Sequence, residues 1–271
     1  MKTAYNNSKG LYDKIYSELR TSDFQDFLNN SGKTASSIKS MIILYRNMDK
    51  YAYQEDIIEK KYATDIKRSK LSSKSTRKPF THAQIEYLWN IQPTDKKEEF
   101  VRDFLLLANY TGCRAEELLF IYTANIHLDK NYFIGGIKSE AGTDREIPIH
   151  PLIKPIIEKY YNKKNEFLFM KENKKRVFYA DYNDYFNLYF IKKHEILKGK
   201  TAHCGRHSLR TAFKDIGIKD VIANSILGHS NGSVGKDTYT DVSLEEKIEA
   251  IKLVTYKTGK IYVLDANRKT S

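Results

Sequence analysis

Between Ala35 and Tyr53, Ile38, Met41, Ile42, Tyr45 and Met48 recur every three or four residues, which predicts a helix with one apolar face. Leu11–Phe27 and Gln54–Ile66 show the same spacing, so residues 1–66 read as a small helical domain. At Phe80-Thr81-His82-Ala83-Gln84-Ile85, Thr81 and Gln84 match a capping box, and Phe80 with Ile85 matches a hydrophobic staple. A second domain therefore opens with a helix at about residue 82. Its next helix is Glu98–Tyr110, followed by a Thr-Gly turn and another helix start. From Ile126 to Ile149 the period changes to two. Tyr132-Phe133-Ile134 and Glu146-Ile147-Pro148-Ile149 flank a turn-rich centre, Ser139–Asp144, which predicts a β-hairpin or small sheet. Helical spacing resumes at Leu152–Tyr161 and runs, with loops, to about Val254. Gly259–Leu264 reads as a short strand on a tail. The fold class is thus mainly α with one small antiparallel β-sheet (α+β). The expected divisions are 1–66, a linker over 67–79, a larger domain over 80–255 and a tail over 256–271.

Composition adds a partner class. The 46 Lys plus Arg against 34 Asp plus Glu leave +12 in 271 residues, pointing to a polyanion: nucleic acid or an anionic membrane surface. From Lys60 to Lys78 eight basic residues face the single acid Asp65, so this stretch holds more than half of the excess. Its second half, KRSKLSSKSTRKP, is Ser/Lys-rich and nearly free of large apolar groups, as an interdomain linker is. Lys67, Arg68, Lys70, Lys74, Arg77 and Lys78 are its candidate DNA-backbone contacts. The longest apolar runs, Phe104–Ala108 and Met41–Leu44, are far short of the roughly 18 residues that span a membrane. The N-terminus lacks the apolar core of a signal peptide. Two cysteines, Cys113 and Cys204, make no disulfide framework or four-cysteine zinc site. The expectation is a soluble, basic, cytoplasmic protein, nucleoid-associated when bound to DNA.

Four clusters hold chemistry: TGCRAEEL with Arg114 and Glu117, Gly136-Ile137-Lys138, HCGRH with His203 and Arg206, and Leu227-Gly228-His229 with Tyr239 ten residues later. Singly each is ordinary. Arg114 and Glu117 one turn apart suit a surface ion pair, and Lys138 suits a solvated hairpin charge. Together they contain no carboxylate pair and no metal cage, but they match what phosphoryl transfer without metal requires. Guanidinium groups fork onto phosphate oxygens and offset charge in the transition state. Histidine and lysine move protons, and a tyrosine hydroxyl is a nucleophile able to hold a phosphoester.

In order and spacing this set resembles the tyrosine recombinases, or phage-type integrases. That family shows Arg in a T-G-x-R-x-x-E-L turn, a β-hairpin Lys, then H-x-x-R-H, L-G-H and a final Tyr. Here Lys138 follows Arg114 by 24 residues, in IKSEAGTDREIPIH, and Tyr239 stands in DTYTDV. The resemblance covers residues 78–255, with 1–66 looking like the core-binding domain more loosely. It implies site-specific recombination of double-stranded DNA, with Tyr239 as nucleophile forming a 3′-phosphotyrosyl link. Arg114, Arg206 and His229 would hold the phosphate, His203 would serve as general base and Lys138 as general acid. Glu117 would support Arg114. Neither metal nor cofactor is needed, since the covalent link retains the phosphoester energy. The implied assembly is a homotetramer on DNA, compatible with accessory directionality or DNA-bending proteins.

Two departures bear on the site. Gly205 stands where the family commonly has Leu or Cys, and its missing side chain is expected to loosen the packing behind Arg206. His207-Ser208-Leu209-Arg210 offers a competing H-x-L-R frame, but Arg206 precedes His229 by the favoured 23 residues and Arg210 by 19. Arg210 is then a helix-surface or phosphate-contacting charge. The cysteines read as small buried packing groups. The apolar stripe Leu244, Ile248, Ile251 and Val254 follows a Ser243/Glu246 capping box, and the resemblance docks this helix onto a neighbouring protomer. Rival readings are a type IB topoisomerase-like nicking-resealing enzyme, a catalytically silent DNA-binding regulator, and a zinc hydrolase on His203, His207 and His229.

Overall fold

Two units, Met1–Thr76 and Arg77–Ser271, divide the chain, each with its own apolar core. The computed structural model describes residues 1–67, 78–136, 144–229 and 242–256. The first unit is built on α1 (Lys2–Asn7), α2 (Thr21–Asn30) and α3 (Ala35–Gln54). The predicted stripe of α3 is buried at Ile38, Met41, Ile42 and Tyr45, and it packs with Phe24 and Leu28 of α2. Thr34 caps α3 by accepting from the Ser37 N–H.

Two helices expected here are shorter than their spacing implied. Leu11–Phe27 contains only short 3-10 turns before α2, because Ile15 and Leu19 are extended. The Asp23 carboxylate then accepts from the Arg20 N–H at 3.0 Å and starts α2 at Thr21. Gln54–Ile66 is not an α-helix either. Asp56 takes a left-handed φ of 55°, and the Ile57 N–H turns back to the Ala52 carbonyl at 2.8 Å, ending α3. An aspartate tolerates this conformation, so no glycine marks the stop.

In the second unit the Thr81/Gln84 capping box opens α4 (His82–Asn90), with Phe80 and Ile85 both buried. Next comes α5 (Lys96–Thr111), buried around most of its circumference, so it forms the axis of the domain. α6 (Ala115–Leu119) leads to a three-stranded antiparallel sheet: β1 (Ile126–His127), β2 (Tyr132–Gly135) and β3 (Arg145–Pro148), in that order. Phe133 lies opposite both Ile126 and Ile147. α7 (Lys154–Tyr160) follows, then α8 (Tyr179–Asp184), which continues through a π-helical turn into α9 (Ile191–Lys193). The last three helices are α10 (Ala202–Asp215), α11 (Asp220–Leu227) and α12 (Leu244–Lys252). Among the described residues no helix is long and apolar enough to cross a membrane.

Helix α10 packs along α5, and the closeness of that crossing corrects the expectation about Gly205. A Cβ there would sit 2.7 Å from the Ala108 carbonyl carbon and 2.8 Å from the Asn109 nitrogen. The missing side chain is what lets the two backbones meet. The packing behind Arg206 is tight because of the glycine.

The Ser243/Glu246 capping box opens α12 as expected. Within the chain the helix packs against β3 and α11, which cover the C-terminal half of its stripe and leave Leu244 and Ile248 half-exposed. Ile251 and Val254 are fully buried there, and Lys247 pairs with Glu146 at 3.0 Å. Tyr256, beyond the helix, is buried and donates to the Asn109 carbonyl at 2.5 Å. The tail from residue 257, with its expected strand at Gly259–Leu264, lies outside the described residues.

Candidate active site

Gly112 ends α5 with a left-handed φ of 64°, and any Cβ would stand 2.4 Å from Leu227. Glycine is required there on both counts. The turn it makes places Arg114 at the N-terminus of α6. Glu117, three residues on, accepts from the Arg114 N–H at 2.8 Å and from its Nη1 at 2.6 Å. This is the carboxylate half of a capping box, since a guanidinium cannot accept in return, and the same carboxylate starts the helix and aims the guanidinium. Burial would raise the Glu117 carboxyl, but Arg145 and the Arg114 hydrogen bonds hold it below its ordinary value.

Arg206 projects from α10 back to this turn. It is 4% exposed, and its Nη1 donates to the Gly112 carbonyl at 2.9 Å. Its Nη2 is buried with no hydrogen-bond partner among the described residues. Burial, reinforced by Arg114, pushes its pKa down to about 10. His203, one turn earlier, is half-buried and meets His207 edge-on at 5.1 Å between ring centroids. His229 follows the left-handed Gly228 that terminates α11, and its N–H donates to the Asn224 carbonyl at 3.0 Å. Partial burial of its ring, then the charges of Arg206, Arg210, Arg114 and Arg145, lower its pKa to about 4.

Arg210 bonds Asp220 at 3.0 Å and Asn224 at 3.1 Å, and so ties α10 to α11 beside His229. The structure gathers Arg114, Glu117, Arg206 and His229 into one cationic group. Lys138, Tyr239, Arg68, Lys70, Lys74 and Arg77 lie outside the described residues, while Lys67 and Lys78 are exposed at the ends of the linker. Cys113 and Cys204 are fully buried, and burial lifts the Cys113 thiol to about 11. Among the described residues no three His, Cys, Asp or Glu side chains gather as a metal cluster.

One member of the group was missed by sequence reasoning. Arg145 of β3 is buried and donates to Glu117 at 3.1 Å and to the Ile226 carbonyl at 2.9 Å. Its signal was strand parity, since Arg145 shares the inward face with Ile147. A charged residue on that face of a small sheet asks for a partner.

Arg114, Arg206 and His229, with Arg145 buried behind them, surround one carboxylate and carry net positive charge at neutral pH, and the buried Arg206 Nη2 has no partner among the described residues. Such a group binds an anion through forked, charge-assisted hydrogen bonds.

Comparison with known proteins bears on which anion. The sequence profile of the phage integrase family matches residues 78–246. Tyrosine recombinase XerA of Pyrococcus horikoshii is 27% identical over 244 residues, covering 86% of this chain and 80% of that protein. Tyrosine recombinase XerD of Oceanobacillus iheyensis is 23% identical over 256 residues, covering 86% and 80%. Among solved structures, the Tn1549 transposon integrase in complex with transposon right end DNA superposes with a TM-score of 0.69 at 20% identity, covering 85% of each chain. A lambda integrase tetramer bound to a Holliday junction gives 0.64 at 18% identity, covering 88% of this chain and 73% of the other. These structural likenesses speak to the fold, and the family profile, spanning more than half of the chain, speaks to membership. The chain belongs to the phage integrase family and is a tyrosine recombinase, an enzyme that breaks and rejoins DNA in site-specific recombination.

Proposed function

We propose that this recombinase cleaves each strand by attack of the Tyr239 hydroxyl on a phosphodiester. The tyrosyl O–P bond forms as the P–O5′ bond breaks, leaving a 3′-phosphotyrosyl link and a free 5′-hydroxyl. His203 takes the tyrosine proton, and Lys138 returns one to the departing O5′. Arg114, Arg206 and His229 hold the non-bridging oxygens, and Glu117 keeps Arg114 aimed. Rejoining runs the same steps backwards with a new 5′-hydroxyl, so the bond energy is conserved in the protein–DNA link. Strand exchange between two duplexes takes four such sites, hence a tetramer on DNA, working in the cytoplasm. The domain of residues 1–66 and the linker of 67–79 add DNA-backbone contacts to the catalytic domain of 80–255.

The observation that supports this reading most is the buried Arg206 Nη2, which has no partner among the described residues and is set among Arg114, Arg145 and His229. Burying a charged donor without a partner is costly, and an oxyanion at that point removes the cost. The test is a nicked trapping duplex. Tyr239→Phe is expected to bind DNA as the unaltered protein does and to form no covalent adduct. Arg206→Lys keeps the charge but loses the fork, and cleavage should fall roughly 10²- to 10³-fold. Adduct formation by Tyr239→Phe would assign the nucleophile to another residue.

A further inference from the structure

Arg145 is sealed behind the site. Its side chain is 7% exposed, against 29% for Arg114, so it cannot reach DNA, whereas Arg114 has an open side. Its contacts run to three segments that carry the proposed chemistry. Nη2 donates to Oε2 of Glu117 at 3.1 Å, the same oxygen that accepts the Arg114 N–H. Nε donates to the Ile226 carbonyl at 2.9 Å, in the last turn of α11, three residues before His229. Nη2 also lies 3.9 Å from the Cys113 sulfur, beside Arg114 in the chain. Arg145 itself begins β3 opposite Gly135, the last residue of β2, and Lys138 follows Gly135 by three residues in the chain.

The charge count matters as much as the geometry. Glu117 is 1% exposed and shared by two guanidiniums. With Arg114 as its sole partner, the carboxylate would neutralise that arginine and blunt its pull on a phosphate. Shared with Arg145, it orients Arg114 while the trio keeps a net positive charge. The forked guanidinium can bond Glu117 and Ile226 together, which a lysine ammonium on its flexible stem does poorly.

We propose that Arg145 is a positioning residue for strand cleavage, holding Glu117, and through it Arg114, in register with the end of α11 that carries His229. The inference rests on the proposed function, in which Arg114 and His229 hold the scissile phosphate.

Single-turnover cleavage of the nicked trapping duplex, measured beside DNA affinity and thermal melting, tests it. Arg145→Lys should stay folded and bind DNA within about twofold of the unaltered protein, while cleavage slows by about 10- to 100-fold, the usual cost of losing an orienting partner. If Arg145 acts through Glu117, the double variant Arg145→Lys, Glu117→Gln should cleave no slower than Glu117→Gln alone. Losses that multiply would overturn the proposal, because a merely structural residue adds its defect independently. If the lysine variant melts too low to assay, Glu117→Asp serves instead. Its shorter carboxylate cannot span Arg114 and Arg145 together, and cleavage at the unaltered rate would overturn the proposal. Arg114→Ala keeps the two ideas apart. Full cleavage by that variant sinks the reading of the site itself, whereas an inactive Arg114→Ala beside a fully active Arg145→Lys sinks only the role of Arg145.

Discussion

His229 is held near pKa 4 by partial burial and then by the cations around it, and that makes it a reporter of what enters the site. In the free protein the ring is neutral at pH 7. A phosphodiester among Arg114, Arg206 and His229 adds negative charge, which favours the imidazolium and raises the pKa. DNA binding should therefore take up a proton between about pH 4 and the ordinary 6.5, and by linkage affinity should rise as pH falls through that window. Imidazole titration by NMR, with and without a cleavage-site duplex in the Tyr239→Phe variant, measures it. An unchanged ring titration on DNA would remove His229 from the phosphate. Folding has the opposite sign. His150, 5% exposed and also lowered to about 4, binds its proton more readily in the unfolded chain, so stability is lost as pH falls from 6.5 towards 4. Cys113 gives a simpler test. A buried thiol raised to about 11 should resist iodoacetamide at pH 8 in the folded protein and react only after unfolding. Labelling of the native protein, read by mass spectrometry, would contradict that burial. At this scale the sequence was legible where a residue's role is announced by its immediate neighbours, as for Arg114 and Glu117. Arg145 escaped because its partners, Glu117 and Ile226, are 28 and 81 residues away in the chain.

Among the elements, the α5–α10 crossing governs how well the site is built. Gly205→Ala pushes a methyl group against backbone atoms of α5 that cannot rotate aside, and overpacking of this kind costs about 1–3 kcal/mol. Because Arg206 is the next residue, the displaced helix should also pull Nη1 from the Gly112 carbonyl. A lowered melting temperature with slowed cleavage is the expected pair of results, and an unchanged melting temperature would mean that α5 and α10 separate easily. Helix α12 makes a similar claim. Its Ile251 is fully buried in its own domain, so Ile251→Ala should destabilise the chain by about 2–5 kcal/mol in denaturant unfolding, at any protein concentration. A loss confined to the assembled state would return the helix to a neighbour. Periodicity revealed that α12 has an apolar face, and the capping box located its start. The identity of the covering surface, β3 and α11, was decided by chain topology, which no local pattern encodes.

For the whole molecule, the testable property is whether the basic segment between the two units contributes to DNA binding. If the linker tracks phosphates, neutralising Lys67, Arg68 and Lys70 should weaken binding equally on all sequences. It should also flatten the salt dependence by about 0.9 for each phosphate that is no longer neutralised. Altered site preference at an unchanged slope would mean that the segment reads bases. What the amino-acid sequence determined by itself is whatever is written in short intervals: the helical spacing of α3, α5 and α12, the period-two stretch of the sheet, two capping boxes, the basic run of 60–78, and the ordered motifs that carry family membership. Each depends on groups within a few residues of one another, or on an order along the chain, so no folding is needed to read it. Tertiary structure alone decided three further things. α3 stops at a left-handed Asp56, a conformation several residues can adopt. Gly205 is a contact surface, because its meaning depends on how closely α5 approaches. Arg145 joins the site, because a buried charge is placed by partners that only the folded chain brings within hydrogen-bonding distance.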